Sequence, residues 1–261
     1  MLYVTRYELF GTSTISIKRC CSLCLFILKM LQRHVRITLN FGGSVLSPHW
    51  PDVENLKLVA KVVRELVERK HEVLVVVGGG EPARKYIQAG RELGGTEVLL
   101  HELGIEITRL NARLLAMALG DLSEPSPPTT FREASQLMLR GKVPVMGGTV
   151  PGHTTDAVAA MAAKATNSSL LLFVTDVDGV YTSDPKLDPT AKKLDRIGTE
   201  ELLELVGTKV SPGMRTILDP VAVKLLQQLR IRTLVIGKKE IPRIPLIVEG
   251  GEHSGTEILT G

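Results

Sequence analysis

The sequence predicts an α/β fold, a single three-layer αβα domain around one continuous, mainly parallel central sheet, and three observations predict it. From Val35 onward, short β-branched runs alternate with longer amphipathic segments, the pattern of repeated βαβ units. Three of the runs stop at glycine pairs or triplets: Gly42-Gly43, Gly78 to Gly80, and Gly147-Gly148. Apolar residues make up 44% of the 261 positions and aromatics only 4%. That balance suits a sheet covered by helices and gives little stacking surface for single-stranded nucleic acid.

The elements follow in order. Residues 35–41 read as the first strand, ending at Gly42-Gly43. A helix over 52–70 places Leu56, Val59, Val63, Leu66 and Val67 on one face. Strand 72–77 stops at Gly78 to Gly80 and leads into helix 82–93, with Pro82 at its first turn. Helix 104–119 precedes a proline-rich segment at 125–128, then helix 131–140 and strand 143–146. After Gly147-Gly148 a loop delivers the chain to helix 156–165. Strand 170–175 is followed by a segment rich in turn residues, 176–188. Helices 200–206 and 220–229, strand 233–236 and a terminal strand pair around Leu246 and Ile258 complete the expectation. No linker separates independent domains within 35–261, so the N-terminal half is expected to hold an acceptor and the C-terminal half a nucleotide.

Residues 1–34 stand apart as an N-terminal extension. Its three cysteines, Cys20, Cys21 and Cys24, are too close together to complete a disulfide framework or a four-ligand zinc site. Lys18 and Arg19 precede a short apolar run, 20–28, which superficially resembles a signal peptide. The run is too short to span a bilayer and no small-residue cleavage site follows, so the expected location is cytoplasmic, with Met30 as the expected first residue. The formal charge of +4 is spread along the chain. It fits anionic small substrates and fits equally a merely solvated surface, and it predicts neither a nucleic-acid nor a membrane partner.

The three glycine turns carry the chemistry. In a parallel sheet their strand ends lie along one edge, where ligands bind in open α/β sheets. Backbone amides without side chains approach an anion closely, and a following helix N-terminus adds its positive end. One such turn is often only structural, but three on one edge point to a polyphosphate. The chain has no Gly-x-x-x-x-Gly-Lys-Ser/Thr loop, no Gly-x-Gly-x-x-Gly fingerprint and no His-Glu-x-x-His. The loop Thr149-Val150-Pro151-Gly152-His153-Thr154-Thr155-Asp156 sets three hydroxyls, a histidine and a carboxylate before an alanine-rich helix, where Thr155 and Asp156 also read as helix caps. A second polar cluster, from Thr175 to Asp184, follows a strand directly and reads also as an Asx-rich turn with an aromatic plug.

Five ordered blocks are similar to those of the amino-acid-kinase family, and within it to the UMP kinases of archaeal type. They are Gly42-Gly43-Ser44-Val45-Leu46, Gly78-Gly79-Gly80-x-x-x-Arg84, Gly147-Gly148-Thr149-x-Pro151-Gly152-x-Thr154-Thr155-Asp156, Thr175-x-x-Asp178-Gly179-Val180-Tyr181-x-x-Asp184-Pro185, and Asp219-Pro220-x-Ala222-x-Lys224. The resemblance runs from about Val35 to Gly261 and implies the amino-acid-kinase fold and transfer of the γ-phosphate of ATP to UMP. It implies that Gly43, Ser44, Gly80 and Arg84 hold the ATP phosphates, that Thr175, Asp176, Tyr181 and Asp184 contact adenine and ribose, and that Gly79, His101 and residues Thr149, Val150, Pro151, Gly152, His153, Thr154 and Thr155 hold UMP. Asp156 matches the family's carboxylate that orients the phosphate-binding groups, so Asp156, Arg84 and Ser44 are the expected catalytic set. Mg2+ is expected with ATP, held mostly by phosphate oxygens and water rather than by protein ligands. A homo-oligomer, a hexamer by the same resemblance, is the expected assembly.

Two positions depart from the broad pattern. Many relatives carry a lysine where this chain has Asn40, although archaeal relatives often lack it, and an acceptor-ribose aspartate where it has His101, with Glu102 as the neighbouring substitute. The alternatives are another phosphotransferase of this fold acting on a carboxylate or small phosphate, and a non-catalytic nucleotide-binding assembly subunit.

Overall fold

The computed structural model describes residues 34–185, 187–207 and 218–260. The expectations about the cysteines, the apolar run and Met30 lie outside the described residues. The first strand, β1 (Arg36–Phe41), is buried on both faces. Its Ile37, Leu39 and Phe41 enter one apolar cluster, while Thr38 and Asn40 turn to the opposite face, as the period of two requires. A single turn, α1 (Gly43–Leu46), follows at once. Helix α2 (Val53–Glu68) is capped by Asp52, whose side chain accepts from the Asn55 amide, and buries Leu56, Val59, Val63 and Leu66. Strand β2 (Glu72–Val77) divides its side chains in the same way, Val73, Val75 and Val77 to one face and Leu74 and Val76 to the other.

Helices α3 (Gly80–Glu92) and α4 (Glu97–Leu119) pack as a pair, followed by α5 (Phe131–Leu139), β3 (Val145–Met146) and α6 (Thr155–Ala165). The C-terminal half contributes β4 (Leu170–Thr175), β5 (Val180–Tyr181), β6 (Lys193–Leu194), β7 (Arg196–Gly198), α7 (Thr199–Val206), α8 (Pro220–Gln227), β8 (Arg232–Gly237), α9 (Ile244–Val248) and β9 (Thr256–Leu259). The main sheet runs in the order β3-β2-β1-β4-β8-β9-β7, parallel throughout except where β9 runs against β8. One apolar cluster joins the sheet to α2, α4 and α9. The other joins it to α5, α6, α7 and α8, and together they make the three layers.

Four expectations need correction. The long helix starts at Glu97, not Gly104, because Thr96 caps it by accepting from the Leu99 amide. Gly104 is instead a packing position, where a Cβ would lie 3.1 Å from Ile87 Cδ1 of α3. Leu246 belongs to helix α9 rather than a strand, since Pro245 sits at that helix's start, so β9 pairs with β8 and β7 and not with a partner of its own. The sheet is not the only one, because the turn-rich segment forms a separate antiparallel ribbon, β5 with β6. Strand β3 keeps only two of its four expected residues.

The turns after β1 and β2 fit together only because they lack side chains. A Cβ on Gly43 would stand 1.9 Å from the Gly80 nitrogen, and one on Gly78 would stand 2.4 Å from the Gly43 nitrogen. Gly43→Ala should therefore cost on the order of 3 kcal/mol in denaturant unfolding, since backbone cannot retreat as a side chain can. Gly198→Ala, where a Cβ meets nothing within 4 Å, should cost about 1 kcal/mol or less. Equal losses at the two sites would show that the turns are not closely fitted.

Candidate active site at the glycine edge

The chain passes outward from β1 through β2 to β3 and then returns to β4 on the other side of β1, which makes the β1/β4 boundary the point where strand order reverses. Open parallel sheets bind ligands there. The Gly42 amide donates to the Val174 carbonyl at 2.9 Å, closing the two strand ends on each other. Ser44 lies half-buried in α1, two residues beyond. Next to it, α3 begins at Gly80 in the left-handed region, φ 68°, with no side chain capping its first turn. The first turn of this thirteen-residue helix spends the Glu81 amide on the Ser47 carbonyl and has no N–H at Pro82, and the positive end of the helix faces this edge. Arg84 stands half-buried on the same helix and is engaged within the protein.

Three residues of α4 that the sequence reading missed staple the glycine turns in place. Asn111 Nδ2 donates to the Gly78 carbonyl at 2.9 Å, while its Oδ1 accepts from Ser47 Oγ at 3.1 Å. Thr108 Oγ1 accepts from the Gly148 amide at 2.6 Å. Arg109 donates from Nε to the Gly148 carbonyl and from Nη2 to the Thr149 carbonyl, at 3.2 and 3.0 Å. A signal was present, since Thr108 and Asn111 fall three residues apart on the buried face of a helix that is otherwise apolar there.

The threonine loop runs from β3 to α6. Gly152 turns it with φ 88°, and the His153 amide closes a turn on the Val150 carbonyl. Thr149 Oγ1 and His153 Nδ1 are buried without a hydrogen-bond partner. Thr149 and Pro151 also line a cleft of about 310 Å3 with Glu102, Ile105, Glu106 and Arg109. His101 is not among the residues lining it, whereas its neighbour Glu102 is. The helix cap is Thr154, which accepts from the Ala157 amide, and not Thr155 or Asp156. Thr154 Oγ1 also donates to Asp219 Oδ2.

Asp156 lies in the first turn of α6, half-buried, with Oδ1 accepting from Asn40 Nδ2 at 2.7 Å. Removal from water, and secondly the negative charge of Asp219, push its carboxyl up to about 7, against the opposing hydrogen bonds from Asn40 and the Asp219 backbone. Asp219 is itself buried, its Oδ1 accepting from the Val221 and Ala222 amides at the start of α8.

The second polar cluster folds on itself. Thr175 Oγ1 donates to the Val177 carbonyl at 2.7 Å, and the Tyr181 hydroxyl donates to Asp178 Oδ1 at 2.6 Å, which holds that carboxyl below its ordinary range. Asp176 and Asp184 are exposed on this loop and make interactions within the protein. The structure thus gathers Gly43, Ser44, Gly79, Gly80, Arg84 and Asp156 around the β1–β2 ends, and Thr175 beside them at the end of β4. Tyr181 lies farther out on the ribbon.

The chain is similar to proteins of known family and structure. The profile of the amino acid kinase family matches residues 36–237. Uridylate kinase of Thermococcus kodakarensis is 46% identical over 225 residues, covering 86% of this chain and 99% of that one. Uridylate kinase of Methanocaldococcus jannaschii is 42% identical over 226 residues with the same coverage. The crystal structure of uridylate kinase from Archaeoglobus fulgidus superposes with a TM-score of 0.74 at 40% identity, covering 85% of this chain and 99% of that one.

The Asp156 carboxyl has a sign that can be measured. Its pKa is raised from 3.8 to about 7 on folding, so the stability it contributes is full below 3.8 and is lost as pH rises through about 7. Asp156→Asn removes that loss. The unfolding free energy of the ligand-free variant in denaturant, relative to the parent, should rise between about pH 4 and pH 8, by a few kcal/mol at most. A difference that stays flat with pH would show that Asp156 ionises as an ordinary carboxylate.

Proposed function

The chain belongs to the amino acid kinase family, and from that premise we propose that it is a uridylate kinase, transferring the γ-phosphate of ATP to UMP to give UDP and ADP. The observation that carries this reading is the threonine loop. It holds two buried, unpartnered polar atoms, Thr149 Oγ1 and His153 Nδ1, on the same sheet edge as the glycine turns. Native proteins rarely leave such atoms unsatisfied without a ligand or water to meet them.

Phosphoryl transfer asks the protein chiefly for positioning and charge compensation. The backbones at Gly43 and Gly80, with Ser44 and the start of α3, cradle the ATP phosphates, and Arg84 supplies the fixed positive charge. Thr175, Asp176, Tyr181 and Asp184 border the adenosine. Gly79 and Thr149 to Thr155 border UMP, with the cleft beneath Thr149 and Pro151 taking the nucleoside, so that Glu102 rather than His101 faces it. Thr154 serves through its backbone, its hydroxyl being committed to Asp219. Asp156 orients the groups around the transferred phosphoryl. A kinase of this kind needs a divalent metal. Here Mg2+ arrives with ATP, held mostly by phosphate oxygens and water.

The enzyme works in the cytoplasm as a homo-oligomer. No described helix is long and apolar enough to cross a membrane. The exposed face of α4 carries Leu99, Leu103, Leu110, Leu114 and Met117, a stripe suited to burial against another copy. A hexamer is the assembly we assign.

Coupled ADP release should be fastest with UMP when UMP, dUMP, CMP and small carboxylates are compared. Turnover confined to a carboxylate would assign a different acceptor, and binding of ATP with no turnover would make the chain a non-catalytic nucleotide-binding subunit. Arg84→Ala should lower kcat/KM for ATP by about 10² or more, as loss of one preorganised charge-stabilising group does. An unchanged ATP dependence would remove Arg84 from the site.

A further inference from the structure

We infer that Asn40 is a positioning residue for phosphoryl transfer, one that holds the Asp156 carboxylate on the acceptor side of the edge through a single amide hydrogen bond. The inference rests on the phosphotransferase reading above and names a residue that reading leaves without a role. Asn40 is 2% exposed in the centre of the sheet. Its Nδ2 donates to Asp156 Oδ1 at 2.7 Å, while its Oδ1 is buried with no partner. An amide buried with half its capacity unused costs stability relative to an apolar side chain of similar volume. The fold offers no reason for that cost. Thr38, the preceding residue on the same face, is satisfied by Ser168 Oγ at 2.9 Å without help from position 40. The cap of α6 is Thr154, so the helix does not need Asp156 for its start.

Two side chains that the fold does not require are therefore bonded to each other where the glycine turns converge. Asp219, fixed by Thr154 and by the first amides of α8, is the charged group among the described residues that acts on Asp156. It repels the carboxylate. The Asp219 backbone also donates to Asp156, and the Asn40 N–H is the side-chain contact that keeps the carboxylate turned towards β1; without it the group turns away or takes up a proton.

The test measures kcat and KM for ATP and UMP on the parent, Asn40→Ala, Asn40→Asp, Asp156→Asn and the double variant Asn40→Ala/Asp156→Asn. Asn40→Ala should lose about 10² in kcat with both KM values within about threefold. In the Asp156→Asn background the same change should cost less than about threefold, because a residue that acts through Asp156 has nothing left to act on. Asn40→Asp can donate only while its new carboxyl is protonated, so its deficit should shrink as pH falls from about 8 to about 6. A full loss in the Asp156→Asn background, a pH-independent deficit in Asn40→Asp, or parental kcat in Asn40→Ala or in Asp156→Asn overturns the inference.

Melting temperature against pH, read without substrate, reports the same contact independently. The Asn40→Asp deficit should widen as pH rises, and a constant deficit counts against the contact. If the parent phosphorylates an acceptor other than UMP, the cycle is run with that acceptor, and the uridylate reading fails while this one stands. If the parent phosphorylates none, both fall.

Discussion

The fold is organised around a place where two backbones touch. Gly43, at the end of β1, and Gly78 and Gly80, at the end of β2, approach so closely that no side chain fits between them. That approach brings the start of α3 against α1, so the amides at both turns open on the same small volume. Polar stapling from α4 then becomes necessary, because carbonyls at such a crowded turn have no strand partner. Asn111 answers Gly78, and Thr108 and Arg109 answer Gly148 and Thr149. The closeness of the two turns and the packing of the N-terminal half thus share one cause.

The carboxylate pair below the threonine loop shows a second balance. Asp219 is satisfied by Thr154 and two helix amides, which lets it remain in a buried place. Asp156 has less hydrogen bonding and bears the cost of both burial and its neighbour's charge. Two acids close together with unequal support divide the work, one serving structure and the other left responsive to what enters the site.

Much of this was legible in the residues. The strand and helix periods located β1, β2, β4, α2 and α6 within a residue or two, because each buries a continuous apolar face. The glycine turns declared the place where β1 and β2 end against each other, because glycine is the residue a close backbone approach demands. What escaped notice depended on contacts distant in sequence. Gly104 looked like a helix start, yet its smallness serves Ile87 of the facing helix. Leu246 looked like strand, but Pro245 starts a short helix there. Thr108, Arg109 and Asn111 carry no motif, since their partners are backbone carbonyls and amides some thirty to forty positions away.

The alternation along β1 ties correct folding to chemistry in one further way. Ile37, Leu39 and Phe41 point to one layer, and Asn40 points to the other, towards Asp156. Sliding this strand by a single position against β2 and β4 would exchange the two sets at once, sending Asn40 into the oily layer and two large apolar side chains towards the carboxylates. No mispaired version of the sheet centre is both well packed and able to form the Asn40–Asp156 contact. The same alternation that fills the core therefore also sets which side chain meets the first turn of α6.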